Sequence, residues 1–223
     1  MPRERYQDSL DELRSDVLAM GDQVVEQFER SLEAVEHRDE SLARSVAEGD
    51  DAVNETYLRL EDRCVDLFAL QQPVAGDLRF VTASFKITTD LERIGDLAVN
   101  LADYLRTASR TLSPEVQLDA IGEAARSLVE RSLAAYEAED AAACREVAAD
   151  DDEVDALCQR ASESVTRDLI AGSDGDGWEV ERLLDDVSRV LLTIRDLERV
   201  ADHAVNIAAR TLYMIEGDPE LLY

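Results

Sequence analysis

Asp90-Leu91-Glu92-Arg93-Ile94-Gly95-Asp96-Leu97-Ala98-Val99-Asn100 returns later in the chain as Asp196-Leu197-Glu198-Arg199-Val200-Ala201-Asp202-His203-Ala204-Val205-Asn206. Such similarity over eleven residues is not expected by chance. At 3.6 residues per turn, Leu91, Ile94, Ala98 and Leu101 share one side of a helix. Glu92, Asp96 and Asn100 form an i, i+4, i+8 row on another side, and Glu198, Asp202 and Asn206 repeat it. The stretch therefore reads as a duplicated amphipathic helix whose carboxylates point away from the bundle core.

Working outward, Arg30-Ser31-Leu32 reappears as Arg131-Ser132-Leu133, and Asp50-Asp51-Ala52-Val53-Asn54 resembles Asp151-Asp152-Glu153-Val154-Asp155. Each half is thus a three-helix unit. Leu10, Leu13, Val17, Met20, Val24 and Phe28 recur at spacings of three and four, giving a long first helix up to about His37. After a His37-Arg38-Asp39 corner, Val46, Val53, Tyr57, Leu60, Cys64 and Leu67 continue a second, with Gly49 permitting a bend and Gln71-Gln72-Pro73 marking its end. Pro73 opens the third. Ser109 to Pro114 connects the halves, and the pattern restarts at Ile121, turns at Glu139-Asp140 and runs to Ile170. The stretch from Ala171 to Gly177 is a loop, and a sixth helix runs from Trp178 to about Gly217. The expectation is an all-α fold of six long helices forming two tandem, similar three-helix bundles, divided as residues 1–110 and 111–223.

Composition narrows the function. The 223 residues carry 51 acidic against 23 basic side chains, a net charge of −28. That charge repels nucleic-acid backbones and anionic lipid heads, and no polybasic segment offsets it. Lys86 is the only lysine, and the carboxylate excess resembles proteins adapted to high salt. Cys64, Cys144 and Cys158 form no CxxC pattern and read as buried, reduced thiols. The opening Met1-Pro2-Arg3-Glu4-Arg5 leads into charged sequence without a signal segment, and no run of about 20 apolar residues follows. The expectation is a cytoplasmic protein with no direct membrane insertion.

The paired rows are the chemistry-bearing feature. Neighbouring carboxylates repel each other, and a cation with oxygen coordination reverses that penalty. The candidate metal ligands are Glu92, Asp96, Asn100, Glu198, Asp202 and Asn206, with Asp50, Asn54, Asp151 and Asp155 as further i, i+4 oxygen pairs. Residue type leaves Fe, Zn, Mn and Mg open. His203 points about 100° around the helix from Asp202 and is left outside the set. Gly95 and Ala201 suit a close helix approach, while Arg93 and Arg199 could pair with Asp90, Asp96, Asp196 and Asp202 at i, i+3. Tyr57, Tyr136, Phe28, Phe80 and Phe85 read as packing residues. No Ser/Cys-His-acid pattern or phosphate loop is present, so no catalytic or organic-cofactor residues are assigned. A single such row would ordinarily be only solvated acidic surface, and it is the repetition that favours a metal platform.

The repeated motif, the length and the repeat order resemble the PhoU family of phosphate-transport regulators along nearly the whole chain. Leu78-Arg79 also resembles the first-half family pattern, whereas the second half has Leu184-Asp185. The resemblance implies multinuclear metal binding at the two rows. It further implies inhibition of high-affinity phosphate uptake when phosphate is plentiful, through the ABC transporter's ATPase and, in many bacteria, a phosphate-responsive sensor kinase. The expected function is a negative regulator of phosphate uptake and phosphate signalling, acting as a metal-binding adaptor that reaches the membrane only through its transporter partner. A metal-dependent hydrolase and a metal-free helical adaptor are the alternatives, and a leftover apolar stripe would allow a homodimer.

Overall fold

A computed structural model describes residues 2–70, 74–107, 116–171 and 177–222. These form α1 (Pro2–His37), α2 (Glu40–Leu70), α3 (Ala75–Thr107), α4 (Leu118–Ala138), α5 (Ala141–Ala171) and α6 (Gly177–Glu216), with no strand among the described residues. The all-α expectation holds. Gln71-Gln72-Pro73, the Ser109–Pro114 connection, the boundary between 110 and 111 and most of the Ala171–Gly177 loop lie outside the described residues. Ala171 still ends α5 and Gly177 already opens α6.

The two tight corners are built alike. Arg38 and Glu139 take left-handed conformations, φ 53° and 51°, in the position that usually favours glycine. Asp39 and Asp140 follow and cap the next helix. Asp39 Oδ1 accepts from Ser41 N and Leu42 N at 2.9 and 3.0 Å, and Asp140 Oδ1 accepts from Ala142 N and Ala143 N at the same distances. Each carboxylate thereby satisfies orphan amide donors and meets the positive end of the helix dipole. Gly49 produces no break, since α2 runs through it.

Helices α1, α2 and α3 pack mutually, as do α4, α5 and α6; α3 also lies along α6, and α1 crosses α4. The apolar stripes merge into a main core that includes Leu13, Met20 and Phe28 of α1 and Ile194, Val200 and Ile207 of α6, beside a small cluster of Ala34, Ala43, Val46 and Ala102. Each such buried aliphatic side chain contributes about 1.5–3 kcal/mol.

The joint between the bundles repeats itself. Gly21 receives Leu133, and Gly122 receives Leu32. Along α3 and α6, His203 Nδ1 lies 2.9 Å from Asp90 Oδ1, and Tyr104 Oη donates to Asp196 Oδ2 at 3.0 Å. Asp196 is fully buried but also receives Arg195 Nη2 at 2.9 Å, so its charge is compensated. The joint holds α3 and α6 back to back, which turns their motif rows toward α2 and α5. No helix among the described residues is long and apolar enough to cross a membrane.

Candidate functional site

On the first face, Glu92 and Asp96 of α3 are half-buried beside α2. Burial pushes both carboxyls above their usual range; Asp96 adds to the effect on Glu92, and Asp50 raises both. Arg93 opposes these shifts, with its Nε 3.6 Å from Glu92 Oε2. Asp50 of α2 is held by two amides: Gln27 Nε2 donates to Oδ1 at 3.3 Å and Asn54 Nδ2 donates to Oδ2 at 2.8 Å. Gly95 permits the approach. A Cβ there would lie 3.2 Å from Gln27 Oε1, 3.4 Å from Val53 Cγ1 and 3.9 Å from Asp50 Oδ1.

The second face repeats this between α5 and α6 with more charge. Burial, followed by Asp155, Asp202, Asp152 and Glu198, pushes Asp151 up to about 6. Glu198 is raised by burial, then by Asp155 and Asp202; Asp202 is raised by burial, then by Asp155, against His203 and Arg199. Such mutual effects require the four carboxylates to share one region. The structure thus brings Asp50, with Asn54 bonded to it, to Glu92 and Asp96, and Asp151 and Asp155 to Glu198 and Asp202. Asn100 and Asn206 are half-buried and are placed one turn on by helical register alone.

Several side chains depart from the sequence expectation. The rows are exposed only in part: α2 and α5 border them, and Glu92, Asp96 and Glu198 are half-buried, whereas Asp202 is exposed as expected. Arg199 reaches Asp196 at 3.7 Å as the i, i+3 spacing suggests, whereas Arg93 turns to its neighbour Glu92. Tyr57 packs its ring against the core as expected, and its hydroxyl also donates to Glu61 Oε1 at 2.8 Å beside Thr89 and Glu92. His203 lies outside the row, as its helical angle implies, but its bridge to Asp90 was not legible. Nor was Gln27, although a polar residue on the apolar Val24–Phe28 stripe was its signal.

The donor chemistry fits a hard cation. Carboxylate and amide oxygens predominate, and Gln27 Oε1 and Asp151 Oδ1 are buried acceptors without a hydrogen-bond partner, a costly state that an ion would relieve. Among the described residues, no three His, Cys, Asp or Glu side chains converge closely enough to hold a metal ion as they stand. Elsewhere, a cleft of about 430 Å³ between α1 and α4 has an apolar floor at Leu18, Val25 and Leu133 and an acidic rim at Glu26, Glu29 and Glu130.

The PhoU domain profile matches residues 17–105 and 118–211. A phosphate-specific transport system accessory protein PhoU homolog from Clostridium acetobutylicum is 31% identical over 220 residues, covering 97% of each chain. The homolog from Pseudomonas aeruginosa is 32% identical over 217 residues, covering 96% of this chain and 86% of that protein. The crystal structure of PhoU from Pseudomonas aeruginosa matches with a TM-score of 0.83 at 30% identity, covering 96% of this chain and 100% of that one. That of the phosphate transport system regulatory protein PhoU from Streptococcus pneumoniae matches with a TM-score of 0.85 at 27% identity, covering 96% and 98%. Two matched repeats, each ending in a motif helix whose acids face its neighbour, place this chain in the PhoU family.

Proposed function

We propose that this protein is a regulatory adaptor of phosphate transport and phosphate signalling that restrains high-affinity uptake when phosphate is plentiful. Relatives matched along nearly the whole chain are phosphate-specific transport system accessory proteins, which supports the phosphate assignment and gives no reason to carry the hydrolase alternative forward. In this reading the partners are the transporter's cytoplasmic ATPase and a phosphate-responsive sensor kinase. The observation that carries the mechanism is the duplicated carboxylate face, with acids on neighbouring helices raising one another.

Cations bound at Glu92, Asp96, Asp50 and Asn54, and at Glu198, Asp202, Asp151 and Asp155, with Asn100 and Asn206 at the row ends, would supply positive charge that neutralises these faces for docking. Arg93 and Arg199 moderate the repulsion meanwhile, and α2 and α5 hold the donors against their rows. Fe, Zn²⁺, Mn²⁺ and Mg²⁺ all suit these oxygens. The test is to strip the protein of metal, restore each ion separately and measure binding to the transporter ATPase. Ion-dependent binding supports the reading; equal binding with and without every ion would favour a metal-free adaptor. That second reading draws on the unconverged arrangement of the side chains.

A further inference from the structure

The two faces differ at a pair of positions that touch. On the first, Gln27 of α1 is 7% exposed, and its Nε2 donates to Asp50 Oδ1 at 3.3 Å. This bond sets the amide orientation, because the flipped amide would press its oxygen against a carboxylate oxygen. Gln27 Oε1 is left buried without a hydrogen-bond partner. It faces the backbone at Gly95, where an added Cβ would lie 3.2 Å from it and 3.9 Å from Asp50 Oδ1. A bare acceptor oxygen therefore sits beside Asp50 and the Gly95 backbone.

The second face has neither feature. Aligning Gly21 and Leu32 with Gly122 and Leu133 puts Leu128 at the position of Gln27, and the motif puts Ala201 at that of Gly95. Leu128 and Ala201 are 3% and 1% exposed, so hydrocarbon replaces both the oxygen and the open backbone. Asp155 likewise replaces Asn54. The first face combines the carboxylates of Asp50, Glu92 and Asp96 with the amides of Gln27 and Asn54. The second has four carboxylates, from Asp151, Asp155, Glu198 and Asp202.

We propose that the two faces are non-equivalent cation sites and that Gln27 Oε1 is a neutral oxygen ligand of the first site alone. This rests on the cation-binding reading above. Hard divalent ions accept amide carbonyls beside carboxylates, and their affinity follows the number of charged ligands. The first site, with one carboxylate fewer, binds a divalent ion more weakly and depends on the amide to complete its coordination. The second binds more tightly through charge.

The test is titration of the metal-free, full-length protein with Mn²⁺, reading free ion by electron paramagnetic resonance, alongside thermal melts without metal. Two classes of site are expected. Gln27→Leu, which copies the second repeat, should weaken only the weaker class, by roughly tenfold or more. Its metal-free melting temperature reads the fold separately, since the change removes both the orphan Oε1 and the Nε2 donor to Asp50 Oδ1. Gln27→Glu keeps an oxygen and adds a charged ligand, so it should bind that class at least as tightly as the parent. If Gln27→Leu does not fold, Gly95→Ala, which crowds Oε1, must weaken the same class. A single class of equivalent sites, unchanged binding in Gln27→Leu, or equal losses in both classes overturns the asymmetry while leaving cation binding intact. No Mn²⁺ binding by the unsubstituted protein overturns both readings.

Discussion

Gly122 and Leu32 meet so closely that a Cβ on the glycine would lie 2.5 Å from Leu32 Cδ2, and Gly21 meets Leu133 in the same way at 2.7 Å. The helices α1 and α4 thus cross at two points, each a glycine in one repeat receiving a leucine from the other. Leu133 is 7% exposed and borders the cleft between α1 and α4, so it yields only by leaving its packed rotamer. Gly21→Ala gains about 0.5–1 kcal/mol of helix propensity but overpacks this contact, at a cost of about 1–3 kcal/mol. The expected net destabilisation is about 1 kcal/mol in denaturant unfolding. Gly21→Ala and Leu133→Ala together should show a coupling above roughly 0.5 kcal/mol; additive losses would show that the contact is not the cause.

The pH dependence follows from the second face. Folding raises Asp151 from the ordinary 3.8 to about 6, chiefly through burial and then through its acidic neighbours. A carboxyl whose pKa rises on folding stabilises the fold fully below its unfolded pKa, and that contribution is lost as pH climbs through the folded value. Glu92, Asp96, Glu198 and Asp202 shift the same way. Without metal, the melting temperature should therefore fall between about pH 4 and pH 7. Asp151→Asn should melt higher than the parent at pH 7 and show a shallower slope. An identical slope would remove Asp151 as a contributor.

Salt should act in the opposite sense to its effect on an isolated ion pair. Exposed clusters such as Arg126 with Glu29, Glu123 and Glu130 contribute little individually, whereas a net charge of −28 repels itself over the whole surface. The screening length shrinks from about 10 Å at 0.1 M to about 3 Å at 1 M salt. Thermal melts should rise on going from low to molar KCl. A flat response would mean that self-repulsion is not a significant term.

The helices and their duplication were legible because periodicity survives where individual residues change: the Leu91, Ile94 and Ala98 stripe is buried as its spacing requires. The corners were placed correctly, but their chemistry was hidden. Arg38 and Glu139 adopt a left-handed backbone that side-chain type does not announce, and only the aspartate caps after them follow a sequence rule. Within the site, register alone grouped Glu92 with Asp96 and Glu198 with Asp202. That α2 and α5 border these rows depends on tertiary packing, as do the Gln27 contact and the His203–Asp90 bridge, because each joins helices distant in sequence.

The cysteines give an independent check on burial. Cys64, Cys144 and Cys158 are free and buried, as the sequence suggested, and burial pushes their thiols up to about 12, 11 and 12. The thiolate is the reactive form. At pH 8 the native protein should resist a thiol reagent, and all three should react after unfolding. Rapid labelling of any one in the native state would contradict its placement in the core.

Elemental analysis of reloaded, exhaustively dialysed protein decides whether the duplicated carboxylate faces bind cations. The unsubstituted chain should retain a cation in stoichiometric amount, and the Asp96→Ala/Asp202→Ala double variant should lose it while keeping its helical circular dichroism. Retention by the folded double variant equal to the parent's, or no retention by the parent, would contradict the account.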